Sequence, residues 1–159
     1  MPSVGFELVA LVISVGALVL RLAPRSGRRD AAIEVGVVLA AVWLTELLAV
    51  RGGGLYQYSA ECAVAPLGVC AAVTALRSVL LALSLRVTRG HAGLARAARV
   101  GGLVLVDTAL LEVIGTSLGL WRWSDTDAGW LIGPVLWAGC AAGLCLARTR
   151  WRWLAPSAA

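Results

Sequence analysis

Five apolar stretches dominate this sequence and limit the folds open to it. They cover residues 4–20, 31–50, 63–85, 100–121 and 130–147. Each is close to the ~20 residues that a helix needs to cross ~30 Å of hydrocarbon. Hydrophobic residues make up 60% of the chain and charged residues only 14%, which is far more apolar than an ordinary soluble domain. The sequence therefore predicts an all-α integral membrane protein, a single domain over residues 1–159 with about five transmembrane helices.

The basic residues, which are all arginines, predict the orientation of such a bundle. Of the 14, four lie between the first and second stretches, four between the third and fourth, and three after the fifth. Only Arg51 and Arg122 lie in the opposite loops. The positive-inside rule then predicts a multi-pass protein of the cell membrane, with the N-terminus outside and the C-terminus in the cytoplasm. The net charge of +5 reflects this topology and contact with the lipid bilayer, and nucleic acid is not an expected partner.

Two segments of the chain resemble each other. Residues 55–59 read Leu-Tyr-Gln-Tyr-Ser and residues 120–124 read Leu-Trp-Arg-Trp-Ser. Glu46 precedes the first segment, Glu112 precedes the second, and a proline opens the helix that follows each. The pattern favours a duplicated two-helix unit, helices 2–3 and helices 4–5, related by an axis along the membrane normal. Chance similarity within so biased a composition is the alternative.

Four charged residues lie at least four residues from either end of a predicted span, where charge is costly and marks candidate functional positions. Arg77 and Asp107 fall at similar depth, so a pair between them is expected, either structural or catalytic. Glu46 and Glu112 are candidates for general acid and base, since burial raises carboxyl pKa values and separates the two roles. The alternative for each glutamate is a protonated side chain that hydrogen-bonds two helices together. Trp43 lies one helical turn before Glu46.

Aromatic residues follow both glutamates. Tyrosine and tryptophan near a membrane surface are usually interfacial anchors, but their faces also stabilise cations. The candidate catalytic residues are therefore Glu46, Asp107 and Glu112. The candidate substrate-binding residues are Trp43, Tyr56, Tyr58, Arg77, Trp121 and Trp123.

Metal and cofactor chemistry are not expected. His91 is the only histidine, and no phosphate-binding glycine loop or Ser/His/Asp set is present. The four cysteines form no recognisable pattern. Cys62 and Cys70 are expected to be thiols, because they lie too far apart along a helix to bridge.

A family resemblance rests on short motifs across residues 36–147. They are Glu46, Gly52-Gly-Gly54, Tyr56-Gln-Tyr58, Pro66-Leu-Gly-Val69, Asp107, Glu112, Gly119-Leu-Trp121-Arg-Trp123, Gly133-Pro134 and Trp137. In these the chain resembles the carotenoid-biosynthesis membrane hydratases, the bisanhydrobacterioruberin hydratase family, and more distantly the small membrane-bound terpene cyclases. The chain departs from the hydratase pattern after Pro134, where Val-Leu-Trp stands in place of an asparagine and a phenylalanine. The resemblance implies a multi-helix enzyme whose intramembrane acids, Glu46, Asp107 and Glu112 here, protonate an isoprenoid.

These observations predict a cofactor-free membrane enzyme that cyclises, isomerises or hydrates an apolar isoprenoid or polyene. A proton-coupled transporter or small channel is a second hypothesis, in which the same acids relay protons. A non-catalytic assembly partner is the third. Helix-packing motifs at Gly115-x-x-x-Gly119 and Gly139-x-x-x-Gly143 permit it, and also permit a homo-oligomer.

Overall fold

The computed structural model describes residues 2–22, 28–59, 62, 64–124 and 129–154. These residues are mostly helical, with two short strands. The five α-helices within them are α1 (Pro2–Leu22), α2 (Arg28–Leu47), α3 (Ala71–Val87), α4 (Gly93–Ser117) and α5 (Gly129–Leu154). The strands are β1 (Tyr56–Tyr58) and β2 (Trp121–Trp123).

The prediction of a five-span transmembrane bundle is wrong when judged by helix length and composition. Within the described residues, one helical segment, Ala31–Gly52, is long and apolar enough to cross a membrane. Gly5–Leu18 and Leu131–Ala147 are shorter apolar stretches. Helix α3 begins at Ala71 instead of near residue 63 and has 17 residues, which is short for a span. The multi-pass topology and the repeat of membrane-spanning helix pairs are therefore not supported. Residues 23–27 and 125–128, in two loops used to predict orientation, lie outside the described part of the chain.

The end of α2 winds more widely than an α-helix. Residues Leu48–Gly52 form a π-helical turn, in which the amide of Gly53 donates to the carbonyl of Leu48. Such a turn accommodates one extra residue within a helix. The distance in sequence from Glu46 to Tyr56 is one residue longer than that from Glu112 to Trp121. The π-helical turn thus accommodates the one additional residue that separates Glu46 from its aromatic segment.

The two similar segments pair with each other as antiparallel strands. Gln57 lies opposite Arg122 at the centre, and each tyrosine of β1 lies opposite a tryptophan of β2. The flanking hydrogen bonds are equivalent on both sides: Ser59 N donates to Leu120 O and Ser124 N to Leu55 O, each at 2.8 Å. This pairing brings the ends of α2 and α4 together.

Packing of the helices forms two apolar clusters. Helix α5 packs along α4, where Gly101 allows close approach to the backbone of Ala138, and α3 contacts α1, α2 and α4. One cluster fills the centre of α2 to α5 and includes Val42, Val100 and Trp137. The other surrounds the paired strands, with residues including Ala49, Tyr56, Cys70, Val73 and Trp121. The paired strands therefore pack against residues at the end of α2 and at the start of α3.

Cys62 and Cys70 form a disulfide, which corrects the prediction of free thiols. The prediction assumed a continuous helix through this region. The described residues between the two cysteines instead include a short 3₁₀ turn at Pro66–Gly68, and Leu67 and Gly68 have positive φ angles. The chain doubles back enough for the two sulfurs to meet. Cys140 and Cys145 are the free cysteines of the described residues.

Removal of this disulfide is expected to destabilise the protein. Chain entropy predicts a cost of about 2.5 kcal/mol for opening a loop of this length. The double variant Cys62→Ser/Cys70→Ser should show that loss in chemical denaturation, whereas Cys140→Ser, at an exposed free cysteine, serves as the matched control. Wild-type protein treated with reductant should match the double variant. An unchanged wild-type denaturation midpoint after reduction would contradict the disulfide's contribution.

Candidate active site

Glu46 lies in the last turn of α2 and its side chain is fully buried. Its Oε2 atom accepts hydrogen bonds from the hydroxyl groups of Tyr56 and Tyr58, the latter at 2.7 Å. Its Oε1 atom accepts a hydrogen bond from Nη1 of Arg77, which also forms an ion pair with it. Two phenols and one guanidinium therefore surround a single carboxylate.

Arg77 on α3 connects the two glutamates. Its Nη2 atom donates to Oε1 of Glu112 at 3.0 Å, while its Nη1 atom donates to Oε1 of Glu46. The other oxygen of Glu112 accepts a hydrogen bond from the indole N–H of Trp121 at 2.7 Å. Arg77 and Glu112 are each 4% exposed, so the whole arrangement is removed from solvent. Glu46, Arg77 and Glu112 are called the carboxyl–guanidinium cluster below.

Aromatic rings enclose this cluster. The guanidinium carbon of Arg77 lies 4.9 Å from the ring centroid of Trp137 and 5.7 Å from that of Trp121. The rings of Tyr56 and Trp123 meet edge to face, with centroids 5.0 Å apart. Aromatic faces stabilise positive charge, which is how both tryptophans contact Arg77. The cluster therefore lies in an apolar, cation-stabilising enclosure.

Two glycines make room for the tryptophans of β2. A Cβ atom at Gly115 would overlap the indole of Trp121, and one at Gly133 would overlap the indole of Trp123. Gly115 lies on α4 one turn after Glu112, so its missing side chain lets the indole reach the carboxyl. Even alanine at Gly115 would displace the indole that donates to Glu112.

Charge balance determines the protonation of the cluster. Two ionised carboxylates and one guanidinium leave a net negative charge in a dry site, which is costly, and one retained proton removes it. Burial raises the pKa of Glu112, against the opposing effects of Arg77 and the Trp121 N–H. Burial, and then the charge of Glu46, raises the pKa of Tyr58, and burial also raises that of Tyr56. Both phenols therefore stay protonated as hydrogen-bond donors.

Asp107 does not pair with Arg77, contrary to the sequence-based expectation. Arg77 pairs with the two glutamates instead. Asp107 is half-buried and lines a small cavity that Arg77 and Thr108 also reach, and burial raises its pKa. Asp107 and Glu112 are five residues apart on one helix, which separates their directions by about 140°. Similar depth along two helices was therefore not enough to identify the partner of Arg77.

Trp43 and Trp137 differ from expectation in opposite ways. Trp43 is half-buried one turn before Glu46, and no hydrogen bond or cation–π contact joins it to the cluster within the described residues. Trp137 was noted only as part of a family motif, yet its ring covers Arg77. The sequence signal that identifies it is weak: it lies one turn after Pro134 on the helix that packs against α4.

One potential metal-ligand group occurs among the described residues: Glu7, Cys62 and Cys70. The two sulfurs of this group are joined in the disulfide, so neither is a thiolate that can bind a metal ion. The donors of the carboxyl–guanidinium cluster include a fixed positive charge, which disfavours a cation there. The chemistry available to the cluster is therefore proton transfer by its own side chains.

Comparisons with known proteins give no relative for this chain. No protein family, curated protein or solved structure matches it.

Proposed function

We propose that the protein is a cofactor-independent enzyme that uses Glu46 and Glu112 as an acid/base pair on an apolar isoprenoid or polyene. The observation that carries this proposal is the shared guanidinium: two buried carboxyl groups bind to opposite nitrogens of Arg77. Such a site holds one proton beyond its fully ionised state. Two buried carboxyl groups that share one site are candidates for the acid and base of a reaction.

The reaction begins with transfer of this proton to a carbon–carbon double bond. The π electrons form the new C–H bond and leave a carbocation at the neighbouring carbon, while the cluster becomes anionic. The negative cluster and the faces of the surrounding rings stabilise the cation. Loss of a proton to the carboxylate ends a cyclisation or isomerisation. Addition of water followed by loss of its proton ends a hydration.

Glu112 is the acid in this proposal, because burial raises its pKa, and Glu46 is its partner. Glu46 accepts hydrogen bonds from three groups, Tyr56, Tyr58 and Arg77, which hold its carboxyl group in place. Glu112 accepts from two, Arg77 and Trp121.

The resemblance to carotenoid-biosynthesis hydratases and membrane terpene cyclases supports a long isoprenoid as the substrate. We place the reaction at the cell membrane. The segment Ala31–Gly52, which includes Glu46, is long and apolar enough to enter a bilayer. Large apolar side chains are also exposed on α1 and α4, among them Val12, Val106 and Val113. Surfaces of this kind are suited to contact with lipid or with another apolar partner.

The proposal is tested by turnover in heavy water. Purified protein in lipid nanodiscs is incubated with acyclic polyenes of isoprenoid origin in D₂O, and the products are analysed by mass spectrometry. An isomerised or cyclised product should carry one deuterium at the protonated carbon, and a hydrated product should carry that deuterium and a hydroxyl group derived from heavy water, whose own deuterium exchanges in ordinary water. No added metal or redox cofactor should be needed.

The controls separate this enzyme from its rivals. Protein unfolded by heat should give no labelled product. Proton-dependent flux in proteoliposomes, without any turned-over polyene, would favour the transporter hypothesis and overturn the enzymatic one. Products that form without deuterium incorporation would exclude protonation as the first step.

A further inference from the structure

A groove between α1, α2 and α3 lies apart from the carboxyl–guanidinium cluster. Its volume is about 370 Å³, within the range of small-molecule sites. The walls come from one face of each helix, with Leu11 and Val15 on α1, Leu39 on α2 and Val79 on α3. None of the side chains of the cluster lines this groove. It is therefore a second candidate site, separate from the cluster.

The interior of the groove offers almost no free hydrogen-bonding group. Ser14 and Ser78 are among its lining residues, but each hydroxyl donates to a backbone carbonyl one turn earlier, at 2.6 and 2.7 Å. The groove runs along α3 from Ala75 to Arg86, a length of roughly 16 Å at the rise of an α-helix. A long, narrow apolar channel of this kind fits a single hydrocarbon chain.

One end of the groove is charged. Glu34 and Arg86 line it, and Arg89 forms an ion pair with Glu34 at 3.5 Å. Among the carboxylates whose side chains the structure describes, none forms an ion pair with Arg86. Its guanidinium is exposed at the end of an apolar channel, where a negative group would complement it.

We propose that this groove binds one single-chain amphiphile with a carboxylate head, such as a long-chain fatty acid. The hydrocarbon chain lies between α1, α2 and α3, and the carboxylate pairs with Arg86. This inference does not depend on the acid/base proposal, because the two sites share no side chain.

The test measures binding of cis-parinaric acid, a fluorescent polyene fatty acid, to the full chain in nanodiscs. Energy transfer from the protein's tryptophans selects probe bound close to the protein. One site per chain is expected. Parinaryl alcohol, which has the same chain without the charge, should bind at least about tenfold more weakly, since it cannot form the charged hydrogen bonds.

Two variants locate the probe within the groove. Ala82→Trp fills the channel and should weaken binding of both probes at least tenfold, whereas Ala98→Trp, at an exposed position on α4, should not. Ala75→Leu narrows the same channel and replaces Ala82→Trp if that variant does not fold.

A change at Arg86 tests the charged end of the groove. Arg86→Gln should weaken binding of the acid at least tenfold and binding of the alcohol less than twofold, with exposed Arg122→Gln as its control.

Three results would overturn the inference. Equal binding of acid and alcohol to the wild-type protein would show that the site does not recognise a carboxylate. Unchanged binding in both channel-filling variants would show that the probe does not bind in the groove. A stable dimer that Ala82→Trp disrupts, together with no probe binding, would identify the groove as an interface between two copies.

Discussion

Replacement of Glu112 by glutamine is expected to reduce turnover by about 10²–10⁴-fold, the range attributed to a positioned general acid. The amide has the shape of the carboxyl group but carries no transferable proton. One oxygen of Glu112 accepts from Arg77 and the other from Trp121, so glutamine also loses one of these hydrogen bonds. The loss in folding free energy should therefore be modest, about 1–3 kcal/mol. Initial rates and chemical denaturation, measured on the same preparation, separate the two effects.

The dependence of the rate on pH provides a second measure of the same group. Burial raises the pKa of Glu112, so the protonated form persists to higher pH than for an exposed glutamate. The wild-type rate should be full below this raised pKa and should fall as the pH rises through it. The remaining activity of Glu112→Gln should lack this decline. Arg122→Gln, an exposed change on the neighbouring strand, should keep the wild-type profile.

Glu46→Gln should also abolish most turnover, because it removes the carboxylate that balances the charge of Arg77 and receives the returning proton. Full activity in both Glu46→Gln and Glu112→Gln would rule out acid/base catalysis by this pair.

Replacement of Arg77 by methionine is expected to cost about 3–5 kcal/mol of unfolding free energy, the range for a buried charge that loses its partner. Methionine fills much of the same volume but leaves Glu46 and Glu112 without a cation, and both are at most 4% exposed. Denaturation of the variant in the detergent or lipid used for the wild type measures the loss.

The loss of unfolding free energy caused by Arg77→Met should depend on pH. In the wild type Arg77 lowers the pKa of Glu112 against the larger effect of burial, so without the guanidinium this pKa rises further and the folded variant holds more protons than the folded wild type. The loss of unfolding free energy should therefore grow as the pH rises through the wild-type pKa of Glu112, which lies above the ordinary glutamate value, and shrink as the pH falls. Arg77→Met/Glu112→Gln should recover part of the loss, and Arg122→Met, which is exposed, should stay within about 0.5 kcal/mol of wild type. An Arg77→Met variant as stable as wild type at neutral pH would contradict the structural importance of the cluster.

The sequence predicted which residue types belong to the candidate site, but it did not predict most of the contacts between them. Glu46, Glu112 and the aromatic residues after them are conspicuous because charge and aromatic pairs are rare in so apolar a chain. The hydrogen bonds from both tyrosines to Glu46 and from Trp121 to Glu112 were not part of the prediction, which gave these aromatic residues only a role in substrate binding. The partner of Arg77 was not predictable in the same way, because helix depth contains no information on the direction of a side chain.

The positions of the helices along the chain could be predicted from the sequence, but the length of the third helix could not. Apolar composition predicted where the helices lie along the chain, but it also extended the third helix back to residue 63. A proline and two positive φ angles between residues 66 and 68 keep that segment out of the helix. For this third helix an apolar stretch was equated with a helix of the same length, whereas α3 has only 17 residues. Among the described helical segments, Ala31–Gly52 alone is both long and apolar enough to cross a membrane.

The sequence by itself determined the helical character of the chain, the similarity of its two glutamate–aromatic segments and the proton-transfer groups available. These follow from local composition and spacing, which act over a few residues. Only the tertiary structure decided that β1 pairs with β2, that Arg77 bridges Glu46 and Glu112, and that Cys62 meets Cys70. Those contacts depend on the rotation of each helix about its axis and on loop geometry, and both are set by packing between residues distant in the sequence.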